Sequence, residues 1–392
     1  MNEQEHCFYF DEQTIKQKVT LEKTGIFGED ELWEFDRLWN YDESFYGLHT
    51  LMVQPQYWDD GFIELAKEMS VKCLILTDRI IGAFYKSNPK KFKTLMSLGF
   101  LDYIPLLECL VMDAHAPFLS IDKIVDIQDF SPIEKLSNLK YLKIFEDLGS
   151  SIVVDINFSK LSQLKEVDLQ YPIENKTIYQ CEHLETVNIR YYEKSLDAMK
   201  NWKKLKSFSA YCNNLESFEG LNSFFQLQIF KPEITAKFKT FKGTNSKSIV
   251  KLHIYTEAKK TPKTLDGISG LEVVENIALN GFKQMESIGD LFECSSLKEL
   301  TFENCKIPND ISTLDLLTNL EKLVLDDCKN IESLEFIKKL PNLKYLSFDG
   351  NTKIIDGNLN FLKELSDTGV EIYFTDRKHY SLKSKDLKLG VR

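Results

Sequence analysis

Apolar residues in the C-terminal half of the chain fall at fixed offsets. Leu340, Leu343, Leu346, Phe348 and Asn351 give the pattern L-x-x-L-x-x-L-x-F-x-x-N. Leu317, Leu320, Leu323, Leu325 and Cys328 repeat it, as do Cys294, Leu297, Leu300, Phe302 and Cys305. Leu300, Leu323 and Leu346 follow one another at intervals of 23 residues. A fixed period of this length marks a stack of similar units, each too small to bury its apolar face alone. Within each unit the L-x-L pair predicts a short strand. Strand side chains alternate, so the two leucines point inward and the residues between them point out.

The pattern can be followed toward the N-terminus. It passes through Leu271, Val274, Ile277 and Leu279, then Ile249, Leu252 and Ile254, then Leu221, Phe224, Leu227 and Ile229. Trp202, Leu205, Phe208, Ala210 and Asn213 come before these, preceded by Cys181, Leu184, Val187 and Ile189. Two further copies are Leu161, Leu164, Val167 and Leu169, and Leu136, Leu139, Leu142 and Ile144. After the strand, apolar residues recur at every third position, as in Ile331, Leu334, Ile337 and Leu340, or Ile127, Phe130, Ile133 and Leu136. That spacing predicts tight 3₁₀ turns. Farther upstream, 49–53, 73–76 and 107–112 read as strands, and 59–69 and 90–98 as helices. The aromatic-rich stretch 27–46 is expected to cover the open N-terminal edge, because a stack needs capped ends. Residues 370–374 read as the last strand.

These motifs resemble the leucine-rich repeat superfamily over roughly residues 48–374, and within it the short-repeat bacterial internalin type. The resemblance implies an α/β repeat solenoid of horseshoe form. It would carry a parallel concave sheet of about 12–14 short strands, a 3₁₀ or helical convex side and an N-terminal helical cap. The expected organisation is an acidic cap segment over 1–47, a solenoid over 48–374 and a basic tail over 375–392. Within the solenoid, 48–135 holds irregular helix-bearing repeats and 136–374 regular short ones. The turn column after the strand holds Asn213, Cys305, Cys328 and Asn351. Cys305 and Cys328 are expected to stack about one strand spacing apart, as buried thiols or as a disulfide.

Composition narrows the function. The net charge is −11, with no basic stripe, which argues against a nucleic-acid partner. No apolar run is long enough to cross a membrane. Eight scattered cysteines without a C-x-x-C pair, together with a first segment that lacks an apolar leader, point to the reducing cytoplasm. Residues 1–50 hold twelve acidic and four basic side chains, and residues 377–392 six basic and one acidic. Six histidines form no metal-binding spacing, and no nucleophile-elbow or phosphate-loop motif occurs, so the reading is non-catalytic and without cofactors.

What remains is the outward face of the sheet. The column after the L-x-L pair reads Phe145, Gln170, Arg190, Tyr211, Phe230, Tyr255, Asn280, Glu303, Asp326 and Asp349. The column before the pair adds Tyr141 and Tyr345, and the central column adds Asp168 and His253. Aromatics and arginine concentrate binding energy at interfaces. The chain is therefore expected to be a protein-interaction scaffold, monomeric, gripping a protein partner through this face. Two narrower readings stay open. One is an immunity-type inhibitor whose acidic Glu303, Asp326 and Asp349 oppose a basic toxin or enzyme. The other is an exported effector or adhesion-type protein.

Overall fold

The computed structural model describes residues 8–10, 50–53, 63, 66–67, 70–77, 97–114, 127, 129–146, 153–169, 171–173 and 175–387. Side chains are described for all of these except 8–10, 50–53, 77, 113–114 and 145–146. The chain divides into two compact units, 1–184 and 185–392. The boundary lies inside the run of repeats.

In the first unit, β1 (Phe8–Phe10) pairs antiparallel with β2 (Thr50–Val53). From there the ladder is parallel: β2, β3 (Cys73–Thr77), β4 (Cys109–Ala114), β5 (Tyr141–Glu146) and β6 (Glu166–Leu169) pair in sequence order. The inward column Leu74, Leu110, Leu142 and Val167 is in register and buried. Turns of 3₁₀ helix at Ser131–Lys135, Phe158–Lys160 and Lys176–Gln180 return the chain between strands. The expected helix at 59–69 is described as helical at residues 63, 66 and 67. The expected helix at 90–98 and the cap at 27–46 lie outside the described residues, apart from 97–98.

In the second unit the parallel strands are β7 (Thr186–Tyr191), β8 (Ser207–Cys212), β9 (Ile229–Ile234), β10 (Lys251–Tyr255), β11 (Asn276–Asn280), β12 (Glu299–Glu303) and β13 (Lys322–Asp326). They pair in order, each with the next. A two-residue strand, β14 (Asn330–Ile331), leaves this ladder to pair with β16 (Lys353–Ile354). The main ladder continues from β13 through β15 (Tyr345–Phe348) to β17 (Glu371–Phe374). The 3₁₀ turn expected after Ile331 is present at Glu335–Lys339. In the last repeat an α-helix, α1 (Phe361–Asp367), takes that place. The architecture in each unit is therefore that of leucine-rich repeats: consecutive parallel strands with 3₁₀ returns.

One repeat departs from the sequence register. The L-x-L pair of β9 is not Leu227 and Ile229 but Phe230 and Pro232, both buried. Phe230 lies opposite Phe208 and Leu252, and its ring stacks on Phe208 with centroids 5.7 Å apart and planes 7° from parallel. Leu227 belongs to the approach to the strand, as Leu205 does before Phe208. The proline hid this, since proline cannot donate to a ladder and is rarely found within a central strand. The registered pairs between β9 and β10 correspondingly lapse at Lys231 and Pro232 and resume at Glu233 and Tyr255.

One further expectation changes at the turns. The column after the strand is Cys305, Cys328 and Thr352, not Asn351. The Cys305 thiol donates to the Leu279 carbonyl at 3.3 Å and the Cys328 thiol to the Phe302 carbonyl at 3.2 Å. The Thr352 hydroxyl donates to the Leu325 carbonyl at 2.5 Å. Each satisfies a buried carbonyl of the preceding repeat, while Asn351 is exposed. Residues 375–387, the described part of the basic C-terminal segment, pack back on the last repeat. Tyr380, Leu382 and Leu387 are buried. The Tyr380 hydroxyl accepts the Ile354 N–H, and the Ser381 hydroxyl accepts the Leu359 N–H, both at 2.9 Å. This segment covers apolar surface that the last repeat would otherwise expose.

The seven described cysteines are free and buried. Burial pushes the Cys305 thiol up to about 11 and raises Cys328 further still. Neither forms the thiolate that reacts with alkylating agents at neutral pH. Peptide mass spectrometry after brief iodoacetamide treatment should find Cys305 and Cys328 unmodified in the native protein and modified in denaturant. Rapid labelling of either thiol in the native state would contradict this packing.

Candidate partner-binding face

Three columns of side chains leave the sheet of the second unit on the side away from the core. The column that follows the inward pair reads Arg190, Tyr211, Glu233, Tyr255, Asn280, Glu303 and Asp326 in register. Asp349 takes the equivalent position after β15. Arg190, Tyr211, Tyr255, Glu303 and Asp349 are exposed, and Glu233, His253, Asp326 and Tyr345 are half-buried.

The structure does not place all expected site residues on this face. Phe230 is in the core, and Glu233 occupies its column. In the first unit, Tyr141 and Asp168 are both buried, Asp168 with its carboxylate 3.9 Å from the Lys143 ammonium. The side chain of Phe145 and the whole of Gln170 lie outside the described residues. Glu233 was missed because the spacing puts the β9 pair three residues too early, at Leu227 and Ile229. The signal was present: Leu227-x-x-Phe230 repeats Leu205-x-x-Phe208.

At the start of the column the Arg190 guanidinium lies 5.7 Å from the Tyr211 ring centroid, within reach of a cation–π contact. Glu233 lies between Tyr211 and Tyr255, one strand from each. The Tyr255 hydroxyl donates to Glu257 at 2.7 Å. This bond, with the nearby Glu233 and Glu303, pushes the Tyr255 phenol up to about 12. Burial, then repulsion from Glu257, raises the Glu233 carboxyl above its ordinary value, while Arg190 acts in the opposite sense.

The other acidic residues are held by their own chain. Glu303 accepts the Asn280 amide at 2.9 Å. Asp326 accepts the Ser347 hydroxyl at 2.9 Å and the Asp349 N–H at 3.0 Å. Asp349 accepts from the Thr375 hydroxyl and from the Gly350 N–H, and these bonds hold its carboxyl below the ordinary range. In the column before the inward pair, Tyr345 packs against Tyr373 from the central column, with centroids 5.4 Å apart. The Lys322 ammonium lies 5.3 Å from the Tyr345 centroid. His253 bonds the Asn276 side chain at 2.8 Å, which donates to Glu299 at 2.6 Å. Among the described residues no group of His, Cys, Asp and Glu could hold a metal ion, and no helix is long and apolar enough to cross a membrane.

Where the chain turns off the face, the next residue is Gly281, Asn304, Asp327 or Gly350, all with positive φ. Glycine, asparagine and aspartate are the residues that enter this region most readily. The turn amides of Gly281, Asn304 and Asp327 each donate to the carbonyl of the last face residue one repeat on: Glu303, Asp326 and Asp349. The face is thus fixed by backbone as well as by side chains.

No family model matches the chain, and no curated protein matches it. Among solved structures it is similar to an internalin of Listeria monocytogenes at 15% identity, over 81% of this chain and 89% of that one, with a TM-score of 0.46. It is similar to a leucine-rich repeat protein of Leptospira interrogans at 16% identity, over 82% and 88% of the two chains, with the same TM-score of 0.46. A mouse RP105/MD-1 complex is similar at 14% identity, over 77% and 62%, with a TM-score of 0.40. Likeness at this level carries nothing about function. On the geometry of its own parallel ladder, 3₁₀ returns and hydrogen-bonded turn column, the chain has the leucine-rich repeat fold.

Proposed function

We propose that this protein is a non-catalytic interaction module that holds a protein partner on the open sheet face of its second unit. The observation that carries the reading is the pair Tyr211 and Tyr255, 38% and 39% exposed on a rigid parallel ladder. Solvent-facing tyrosines fixed by a sheet lose little conformational freedom on binding and supply large contact area. The buried cysteines, two of them engaged as thiols in the turn column, support a reducing compartment such as the cytoplasm.

The inhibitor reading, in which an acidic face opposes a basic target, draws on Glu303, Asp326 and Asp349. Those carboxylates already accept bonds from Asn280, Ser347 and Thr375, so the tyrosine-bearing end of the column is the stronger candidate for contact. Nothing in the site favours an exported role.

The double variant Tyr211→Ala, Tyr255→Ala should keep the parent's denaturation midpoint, since neither ring is in the core. Proteins captured by the parent from a native lysate should be lost from the double variant. A captured protein that binds both equally well places the contact elsewhere.

A further inference from the structure

We infer that the face reads a basic side chain, arginine or lysine, presented by the partner to the position framed by Tyr211, Glu233 and Tyr255. The inference rests on the reading of this face as the partner surface and gives it a chemistry. Glu233 is half-buried and flanked by two tyrosines, each about 4.8 Å away along the ladder. Among the described residues it accepts no hydrogen bond and joins no ion pair, unlike Glu303, Asp326 and Asp349 on the same face.

The neighbouring groups narrow what can bind. Glu257 is engaged by the Tyr255 hydroxyl, and with Glu303 it adds negative potential around that ring. An anionic group entering here meets three carboxylates. An apolar group would desolvate Glu233 further without giving it a partner, which is costly. A guanidinium or ammonium gains a charge-assisted hydrogen bond to Glu233 and the faces of two aromatic rings. The chain already makes half of this contact internally, with Arg190 set against Tyr211. Lys231, on the same strand and exposed, makes no bond to Glu233.

Removing the charge on Glu233 should not unfold the protein. A carboxyl whose folded value is raised contributes stability at pH below its unfolded value, and that contribution is lost as pH rises through the folded value. At neutral pH, Glu233→Gln is therefore at least as stable as the parent, and its effect on binding can be read cleanly.

The test is selection of a random-peptide phage library on the immobilised full chain, with affinities of synthetic selected peptides measured by fluorescence anisotropy. Selected sequences should share an arginine or lysine. Their affinity should fall at least about tenfold with Glu233→Gln and with Tyr255→Ala. It should change less than about twofold with Glu371→Gln, which removes an exposed charge elsewhere on the face. Peptides without a basic residue that still depend on Tyr211 and Tyr255 would overturn this inference and leave the face reading intact. Equal losses for Glu233→Gln and Glu371→Gln would also overturn it, as diffuse attraction. No selection, or binding indifferent to every face substitution, would remove both.

Discussion

Phe230→Ala should lower the stability of the second unit by about 3–5 kcal/mol, as expected when a buried phenylalanine is truncated to leave a cavity. The ring is fully buried, stacked on Phe208 and edge-on to Phe218 at 5.0 Å. Phe218 in turn packs against Phe238 and Phe241, so the cavity opens inside a run of rigid rings that cannot easily collapse. Urea denaturation followed by circular dichroism would measure the loss. The result separates the two registers of β9. A solvent-facing Phe230 would be replaced at a cost within about 0.5 kcal/mol. A midpoint unchanged by Phe230→Ala would therefore return this residue to the face and remove Glu233 from it.

The second large effect is expected at Gly281. Its φ is +90°, beyond the left-handed well used by Asn304 and Asp327, whose φ values are 51° and 53°. A Cβ added there would lie 1.9 Å from the Thr256 carbonyl oxygen, a backbone atom that cannot swing away. That carbonyl belongs to the residue next to Tyr255, and the Gly281 N–H donates to the Glu303 carbonyl. Gly281→Ala should cost about 3 kcal/mol through strain and steric conflict. It should also displace the strand end that carries Tyr255, and so weaken peptide binding beyond what the stability loss explains. Gly243→Ala is the control, because it too has positive φ but its Cβ would meet nothing within 4 Å. Equal midpoints for the two variants would show that close approach at Gly281 contributes nothing.

Much of this protein can be read from spacing. The clean repeats at Leu300, Leu323 and Leu346 give strand, return and facing for every residue of β12, β13 and β15, and the structure pairs them in that register. The candidate face was partly legible for the same reason: Arg190, Tyr211, Tyr255 and Glu303 stand where the alternation puts them. The reading failed where a local residue disguised the motif. Pro232 at an inward position concealed the β9 pair, and a slip of three residues, like any odd number, exchanges core and face throughout a strand. That slip put Phe230 on the surface and hid Glu233.

Sequence by itself determined the class of fold and the direction of most side chains. A short unit with two inward residues has one way to bury them, by stacking on its neighbours in parallel. It could not determine which carboxylates are already satisfied, because that depends on residues 21 to 26 positions away meeting across the ladder. Nor could it reveal that residues 375–387 close the last repeat, since their apolar residues follow no repeat period. Tertiary structure decided both, by bringing Asn280 to Glu303, Ser347 to Asp326 and Tyr380 to Ile354, and by leaving Glu233 between two tyrosines with no partner among the described residues.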